Sequence, residues 1–278
     1  MDLHFVKYSS HGNDFIVVDN RNHIIEPDRK NLISNLCGRR TSIGADGIIL
    51  IGTDRDDFTA DFFNPDGLPA LMCGNGSRAA VHFARQLEII GNEGVFWVQD
   101  KRHKAKIYND GSIGVEIHLK SSNITEKVVS YREKDYTGFV CDTGVPHYVF
   151  INLPFCREEF REFAKYVRNL PEFSNDGINV DMVTVESAGK MVITTYERGV
   201  EGLTLSCGTG AVAAVWAGIS EAGVKLPAHV QSAGGCIEVC KADNPNSLWI
   251  WGSVSQVYSG IVKNIERLEK VQELLLSP

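Results

Sequence analysis

The sequence lacks the features that mark several large classes of protein. No stretch of its 278 residues approaches the ~20 consecutive apolar residues that a membrane-spanning helix needs. The opening segment, MDLHFVKYSS, has no basic region, apolar region or small-residue cleavage site of the kind that directs secretion. The 28 Lys and Arg are outnumbered by 35 Asp and Glu, and the net charge is -7. Because phosphate binding needs clustered cations, we expect a cytoplasmic protein that binds neither nucleic acid nor membranes.

Cysteine is present, but not in the patterns that bind metal or build a disulfide framework. The 7 cysteines are an odd number, and none belongs to a CxxC pair. We therefore expect free thiols and no metal site. Cys236 and Cys240 are close in sequence, and a strand of alternating polarity would place both on one buried face. The sequence also lacks a GxxxxGKS or GxxxxGKT phosphate loop and a Schiff-base arrangement, so we predict no cofactor.

An internal repeat is the most informative feature that the sequence does contain. CGNG at residues 73–76 recurs as CGTG at residues 207–210, and an apolar helical stretch follows each copy. HGNDFIVVDN (11–20) and TGVPHYVFIN (143–152) keep nearly the same offset, as do the shorter segments FWVQ and AHVQ. The chain is long enough for two domains with cores of their own. We interpret the repeat as a duplication that produced two similar domains.

The repeat predicts an α/β (α+β) fold of two pseudo-symmetric domains, residues 1–120 and 121–261. In each domain we expect a curved, mainly antiparallel sheet around a central helix, because the helices after the two Cys-Gly motifs are apolar on every side. The amphipathic segments 26–37 and 156–170 are predicted to form surface helices. A final helix over 262–278 is predicted to pack back on the N-terminal domain.

Each Cys-Gly motif has the composition of an anion site with a reactive thiol. Glycine lets backbone N–H groups approach a ligand, and a helix N-terminus directs free N–H groups and its positive dipole end to the same point. The same field stabilises a thiolate. Two such cysteines, Cys73 and Cys207, would face each other across an interdomain cleft, where small ligands usually bind. A thiolate on one side of a carbon and a thiol on the other can invert that carbon.

Seven short motifs identify a family that the chain resembles. In order along the chain they are HGNDF (11–15), GADGIILI (44–51), FFNPDG (62–67), CGNGSR (73–78), GVPH (144–147), YERG (196–199) and CGTGA (207–211). Together they resemble the diaminopimelate epimerases, which act on an amino acid without pyridoxal phosphate. The resemblance extends beyond these motifs to SAGG and QVYSG near the C-terminus.

The resemblance implies a function and a set of site residues. It implies an enzyme that converts LL- to meso-diaminopimelate, a small-molecule substrate, in lysine and peptidoglycan-precursor biosynthesis. It also implies a homodimer. Cys73 and Cys207 would be the thiolate and thiol, with His147 and Glu197 beside them to set their protonation. The implied substrate-binding residues are Asn13, Asn64, Asn179, Glu197 and Arg198 among side chains, with Gly74, Asn75, Gly76, Gly208, Thr209 and Gly210 in the two motifs. Arg198 also has the fork geometry that suits a carboxylate.

Three positions depart from the family pattern and leave the substrate open. Family members commonly have Asn at Val145, a carboxamide at Gly47 and Glu at Leu203. These losses predict looser recognition of the distal end of the substrate, which would admit a smaller dicarboxylic amino acid such as glutamate. Three alternatives stay open: a proline or hydroxyproline racemase, a non-catalytic relative that binds a small molecule, and a thiol redox protein in which Cys73 and Cys207 form a disulfide.

Overall fold

The structure, a computed structural model, describes residues 1–120, 123–173 and 177–266. It divides into two compact units. Unit 1 comprises Met1–Val115 together with the segment that begins at Ser253, and unit 2 comprises Glu116–Gly252. None of the helices in these ranges is long and apolar enough to span a membrane.

More of the described residues lie in strands than in helices. The strands are β1 (Leu3–Ser10), β2 (Asn13–Asp19), β3 (Gly47–Gly52), β4 (Phe58–Phe63), β5 (Glu93–Val98), β6 (Lys101–Ile107), β7 (Ile113–His118), β8 (Thr125–Tyr131), β9 (Lys134–Asp142), β10 (Pro146–Ile151), β11 (Asn179–Ser187), β12 (Lys190–Glu197), β13 (Gly202–Leu203), β14 (Ala228–Ser232), β15 (Gly235–Lys241), β16 (Ser247–Gly252) and β17 (Ser255–Val262). The helices are α1 (Lys30–Cys37), α2 (Gly74–Gln86), α3 (Arg157–Arg168) and α4 (Gly208–Glu221), with a 3-10 turn at Pro171–Phe173.

The two units repeat one order of strand pairing. In unit 1 the order is β17-β1-β2-β3-β4-β5-β6-β7, and only β2 with β3 and β4 with β5 are parallel in the described residues. In unit 2 the order is β8-β9-β10-β11-β12-β14-β15-β16, with β10 and β11 and then β12 and β14 parallel. The corresponding helices connect the corresponding parallel strands. This agreement confirms the predicted α/β fold of two similar, mainly antiparallel domains.

The repeat extends to single backbone angles. Gly12 precedes β2 with a φ of 88°, and Gly144 precedes β10 with a φ of 91°. Side chains other than that of glycine rarely adopt this conformation. Both glycines occur in the segments that the sequence comparison aligned, so the two turns have kept the same geometry.

The helices that follow the two Cys-Gly motifs are central in their own units, as predicted. Every residue from Gly74 to Val81 in α2 and from Gly208 to Val215 in α4 is buried. The helix α2 contacts β1, β2, β3 and β4, while α4 contacts β9 to β12 and β14 to β16. A helix can be buried on every face only where it carries few polar side chains. Helix α2 is the exception, since it buries Arg78.

The predicted surface helices are present and slightly shorter than expected. Helix α1 begins at Lys30 rather than at residue 26, because Pro27 disfavours helical backbone at Glu26 and a turn forms there instead. Helix α3 begins after Cys156, whose backbone N–H donates to the Glu159 carboxylate at 2.9 Å. Each helix buries one apolar stripe and exposes the rest.

The expectation for Cys236 and Cys240 was wrong. In β15 the buried residues are Ile237 and Val239, so the alternating pattern is offset by one residue. Cys236 is exposed and Cys240 is half-buried, where its thiol donates to Glu238 at 3.0 Å. The apolar β-branched residues, rather than the thiols, take the buried face.

The final helix predicted over 262–278 lies largely outside the described residues. Ile265, close to its start, is fully buried in the core of unit 1. Its backbone N–H donates to the Met1 carbonyl at 2.9 Å, and Lys263 forms an ion pair with Asp2 at 2.6 Å.

Candidate active site

Cys73 is the N-cap residue of α2 in unit 1. Its backbone is extended, with φ -113° and ψ 122°, and its carbonyl accepts the first helical hydrogen bond from Ser77 at 2.8 Å. The N–H groups of the first helical turn have no partner within the helix, so they converge on the space beside the cysteine. Cys73 is half-buried, and Gly74, Asn75 and Gly76 behind it are buried.

A buried arginine lies one turn into α2. The guanidinium of Arg78 is fully buried and donates to Ser10 Oγ, His11 Nδ1 and Asn75 Oδ1. All of these acceptors are uncharged, and in the described part of the chain Arg78 has no carboxylate partner. Burial lowers the pKa of Arg78 to about 10, while the nearby Cys73 thiolate acts to raise it. At neutral pH the guanidinium keeps its charge, and it provides a positive field at Cys73.

Asn13 joins the motif of unit 1 to a charged cluster. Its side-chain oxygen accepts from Asn75 at 2.6 Å, and its amide donates to Asp46 at 3.2 Å. Arg39 donates to Asp46 at 2.6 Å and also to Asp14 at 2.7 and 2.9 Å. The structure therefore brings Asn13 and Asn75, two of the predicted substrate-binding residues, into direct contact. The Arg39 ion pairs hold Asp46, which accepts from Asn13, in place.

Asp14 is the centre of this charged cluster. Besides Arg39, its carboxylate binds Lys7 at 2.8 Å, and Lys7 also donates to the Gly44 carbonyl. Burial alone would raise the pKa of Asp14, but the hydrogen bonds from Arg39 and Lys7 outweigh it and lower the pKa to about 2. The cluster fixes the start of β2, where Asn13 lies.

Cys207 is the N-cap residue of α4 in unit 2. Its backbone repeats that of Cys73, with φ -131° and ψ 112°. Its Sγ accepts from the Gly210 N–H at 3.4 Å and lies 3.4 Å from Thr209 Oγ1. Burial, followed by the charges of Glu197 and Asp181, raises the pKa of Cys207 well above the ordinary thiol value. The bonds from Thr209 and Gly210 oppose that shift only in part.

A continuous hydrogen-bond chain leads from Cys207 into the core of unit 2. Thr209 Oγ1 lies 3.1 Å from His147 Nε2, and His147 Nδ1 lies 2.6 Å from Asp181 Oδ2. Thr195 then donates to the other oxygen of Asp181 at 2.6 Å. His147 and Asp181 are completely buried. The structure thus places His147 in the surroundings of Cys207, separated from it by one hydroxyl group.

Asn179 and Arg198 complete the group in unit 2. The Asn179 side-chain oxygen accepts from the Arg198 backbone N–H at 2.9 Å, and its amide nitrogen lies 3.4 Å from His147 Nε2. Glu197, the last residue of β12, is half-buried and close enough to Cys207 to influence its pKa. Of the predicted residues, Thr209 contacts Cys207 directly and Glu197 acts on it by charge. His147 and Asn179 follow in turn behind Thr209.

Asn64 differs from the other predicted residues. It is exposed at the start of the turn after β4, where its backbone N–H donates to Leu68 and its carbonyl accepts from Gly67. No side-chain bond from Asn64 to another predicted residue is present in the described ranges.

Sequence reasoning missed Asp181, Thr195 and the role of Arg78. Asp181 follows Asn179 by two residues in one strand, and alternation places both on the same face, so this signal was available. Arg78 lies inside the quoted CGNGSR motif, yet only the fold reveals that its charge is buried. Within the described ranges, no group of His, Cys, Asp and Glu side chains is arranged to hold a metal ion.

Comparisons with known proteins agree with the motifs. A family model described as diaminopimelate epimerase matches residues 5–119 and 139–257. A diaminopimelate epimerase of Aquifex aeolicus (strain VF5) is 34% identical over 271 residues, which cover 93% of this chain and 97% of that protein. A diaminopimelate epimerase of Flavobacterium psychrophilum is 38% identical over 209 residues, covering 74% of this chain and 78% of that protein.

Solved structures show the same fold at much lower identity. The crystal structure of a probable proline racemase from Agrobacterium radiobacter K84 has a TM-score of 0.70 and 13% identity, and covers 94% of this chain and 93% of that chain. Such a likeness shows the fold alone, whereas the sequence relationships above show the family. From its family match and its relatives, the chain belongs to the diaminopimelate epimerase family of isomerases.

Proposed function

We propose that this protein inverts one α-carbon of LL-diaminopimelate to give the meso isomer, with Cys73 and Cys207 acting on opposite sides of that carbon. The observation that carries the proposal is the cysteine N-cap of a buried helix in each unit, in a chain of this family. One thiolate removes the Cα proton, and the other group, as a thiol, delivers a proton to the opposite face. No electrons are gained or lost, and the two cysteines exchange protonation states.

The surroundings of the two cysteines support different resting states. Arg78 supplies a buried positive charge near Cys73, and a positive charge favours a thiolate. Asp181 and Glu197 supply negative charge near the buried Cys207, which favours a thiol. We therefore propose that Cys73 is the thiolate and Cys207 the thiol in the resting enzyme, and that the two exchange roles with the direction of the reaction.

The helix N-termini suit the charge that develops during the reaction. Removal of the Cα proton places negative charge on the α-carboxylate, which becomes part of an enediolate. The free backbone N–H groups at Gly74, Asn75, Gly208 and Thr209 are donors held in place before the reaction begins. The glycines Gly76 and Gly210 in the second half of each motif let the helix pack closely on its own unit, since a Cβ atom at either would meet core side chains. We propose that these groups bind the reacting carboxylate.

The distal amino-acid end of the substrate would bind to Asn13, Asn64, Asn179 and Arg198. Gly47, Val145 and Leu203 suggest that this recognition admits glutamate as well. A Cβ atom built at Gly47 would lie 2.6 Å from the Phe63 carbonyl oxygen, so a carboxamide there would need the backbone of β4 to move. This local geometry supports a distal pocket with fewer polar contacts.

The remaining parts of the proposal concern the setting of the enzyme. We propose a cytoplasmic homodimer that needs no cofactor and serves lysine and peptidoglycan-precursor biosynthesis. We also propose that the functional domains are residues 1–120 with the C-terminal segment 262–278, and residues 121–261.

The deciding experiment is incubation of the purified protein with LL-diaminopimelate in heavy water. We expect the meso isomer to form with one deuterium at the inverted carbon, read by mass spectrometry and chiral chromatography. Parallel incubations with L-glutamate, L-aspartate, L-proline and hydroxyproline test the specificity. Exchange with proline alone would support the racemase alternative, and no exchange with any substrate would contradict an enzymatic function. Activity confined to diaminopimelate would reject the glutamate hypothesis.

A further inference from the structure

One consistent set of hydrogen positions can be assigned along a hydrogen-bond chain in unit 2. The chain runs from Thr195 through Asp181, His147 and Thr209 to Cys207, with separations of 2.6, 2.6, 3.1 and 3.4 Å. Asp181 lies beyond the reach of a substrate bound at the thiol, since it is completely buried behind His147. Its two carboxylate oxygens are both used inside the unit, by His147 and by Thr195.

Asp181 determines which nitrogen of His147 carries the hydrogen. A carboxylate can only accept hydrogen bonds, so His147 Nδ1 must be the donor in the 2.6 Å contact. In a neutral imidazole the other nitrogen, Nε2, is then an acceptor. We assign the Thr209 hydroxyl hydrogen to the bond with Nε2. With that assignment the Thr209 oxygen accepts the thiol hydrogen of Cys207.

Asn179 supports the same assignment from another direction. Its side-chain oxygen accepts from the Arg198 backbone N–H at 2.9 Å, which fixes the orientation of the amide group. The amide nitrogen then faces His147 Nε2 at 3.4 Å and can only donate to it. An Nε2 that received a proton would meet another N–H group. The arrangement therefore favours Nε2 as a hydrogen-bond acceptor in the resting enzyme.

We propose that Asp181 is a positioning residue that, through His147 and Thr209, holds Cys207 as the resting proton donor, and that His147 receives the proton when Cys207 must become a base. The proposal rests on the proposed epimerase function. In the transfer, the Cys207 S–H proton passes to Thr209 Oγ1 while the Thr209 hydroxyl proton passes to His147 Nε2. The products are a thiolate and an imidazolium, and the Asp181 carboxylate balances the imidazolium charge. The total charge of the chain does not change.

Other ionisable groups also face this chain. Glu197 at the end of β12 acts on Cys207 with a negative charge, in the same sense as Asp181. Cys141 on β9 is close to Asp181, but burial raises its pKa to about 12, so it stays a neutral thiol. Its Sγ points to the Ala213 carbonyl at 3.9 Å. The described ionisable groups around Cys207 are therefore His147, which can take up the proton, and the two carboxylates, which oppose its loss.

The first test measures the protonation of Cys207 without substrate. The rate of alkylation by iodoacetamide is followed at Cys207 by peptide mass spectrometry across a pH series, with exposed Cys156 as a reference in the same molecule. We expect Asp181→Asn to lower the Cys207 midpoint by about one pH unit or more, because a negative charge is lost and the amide can reverse the His147 tautomer. An unchanged midpoint in a folded variant would overturn the proposal.

The second test separates the relay from a packing role. Thr209→Val keeps the shape of the side chain and removes the hydroxyl group, whereas Thr209→Ser keeps the hydroxyl group and removes a methyl group. We expect kcat to fall about tenfold or more in Thr209→Val with little change in KM, and to be largely retained in Thr209→Ser. Equal losses in the two variants would show a packing role and contradict the relay.

The two proposals fail in different ways. If the wild-type protein does not epimerise diaminopimelate, the proposed function fails, although the Cys207 midpoints still test the relay. If epimerisation is present and Asp181→Asn leaves both the Cys207 midpoint and kcat unchanged, only the relay fails. If both proposals are correct, Asp181→Asn lowers both the Cys207 alkylation midpoint and kcat.

Discussion

The N-terminus of α2 and the N-terminus of α4 have the same motif and the same backbone, but opposite charge around them. Cys73 has the buried guanidinium of Arg78 nearby, whereas Cys207 has the carboxylates of Asp181 and Glu197. A duplication alone would make two equal sites. The proposed two-base reaction needs a base and an acid at the same moment, and the residues that differ in charge lie outside the repeated Cys-Gly-x-Gly motif or at its edge. These residues are where the two halves have diverged.

The last glycine of each motif shows the same divergence in its contacts. A Cβ atom at Gly76 would meet the Phe62 ring at 2.7 Å, so this glycine packs on an apolar wall. A Cβ atom at Gly210 would meet Asp181 Oδ1 at 3.0 Å and Thr195 Oγ1 at 3.1 Å. The space that glycine leaves is filled by hydrocarbon in unit 1 and by hydrogen-bonded oxygen atoms in unit 2.

The largest expected effect follows from removing either thiol. Cys73→Ala and Cys207→Ala should each lower kcat by about a thousandfold or more, because in the proposed mechanism each half supplies one of the two required proton carriers. Serine at either position should cost less, since a hydroxyl group can still transfer a proton. Epimerisation and solvent deuterium uptake measure both effects. Cys236→Ser, at an exposed thiol, is the control and should leave activity unchanged.

The next prediction tests the positive charge near Cys73 in unit 1. Arg78→Met removes the buried positive charge and should slow alkylation of Cys73 near neutral pH by roughly tenfold, because a thiolate there loses its stabilisation. Alkylation of Cys207 should not change. Arg78→Lys retains the charge and should recover part of the Cys73 rate. If Arg78→Met slowed both cysteines equally, the assignment of unequal charge environments would be wrong.

Alanine at the two glycines should give different defects. Gly76→Ala presses on Phe62 and should reduce the free energy of unfolding by about 1–3 kcal/mol, as overpacking usually does. Gly210→Ala presses on Asp181 and Thr195, and should lower kcat and shift the Cys207 alkylation midpoint. Thermal unfolding and activity assays distinguish the two. Identical losses of stability and activity in both variants would contradict the comparison.

The smallest effect concerns the acid stability of unit 1. The pKa of Asp14 is lowered to about 2. The contribution of its carboxylate to the free energy of unfolding is therefore complete above the ordinary carboxyl pKa of 3.8, and it is lost as the pH falls through about 2. Asp14→Asn should therefore destabilise the protein by about 1–2 kcal/mol near pH 6, with the difference shrinking towards about pH 2. Denaturant unfolding at several pH values measures this. A difference that stays constant with pH would exclude the linkage.

The sequence predicted the repeat and the buried helices, because short motifs and apolar periodicity are local signals. The family resemblance pointed to His147 and Glu197, which lie near Cys207, but not to Asp181. The sequence misplaced Cys236, since a short alternating strand can be read in either of two phases and only packing selects one. The acidic character around Cys207 depends on Asp181 and Glu197, which belong to different strands. Their approach to one sulfur atom is a tertiary contact, and no spacing along the chain encodes it.

The strand β17 has a consequence for synthesis of the chain. It pairs with β1 from Leu3↔Val262 to Ser9↔Ser255, so β1 leaves the ribosome long before its partner strand has been made. Unit 2 is continuous in sequence and can fold while synthesis goes on, whereas unit 1 keeps one edge of its sheet open until β17 has been made. Unit 1 is therefore begun before unit 2 and completed after it.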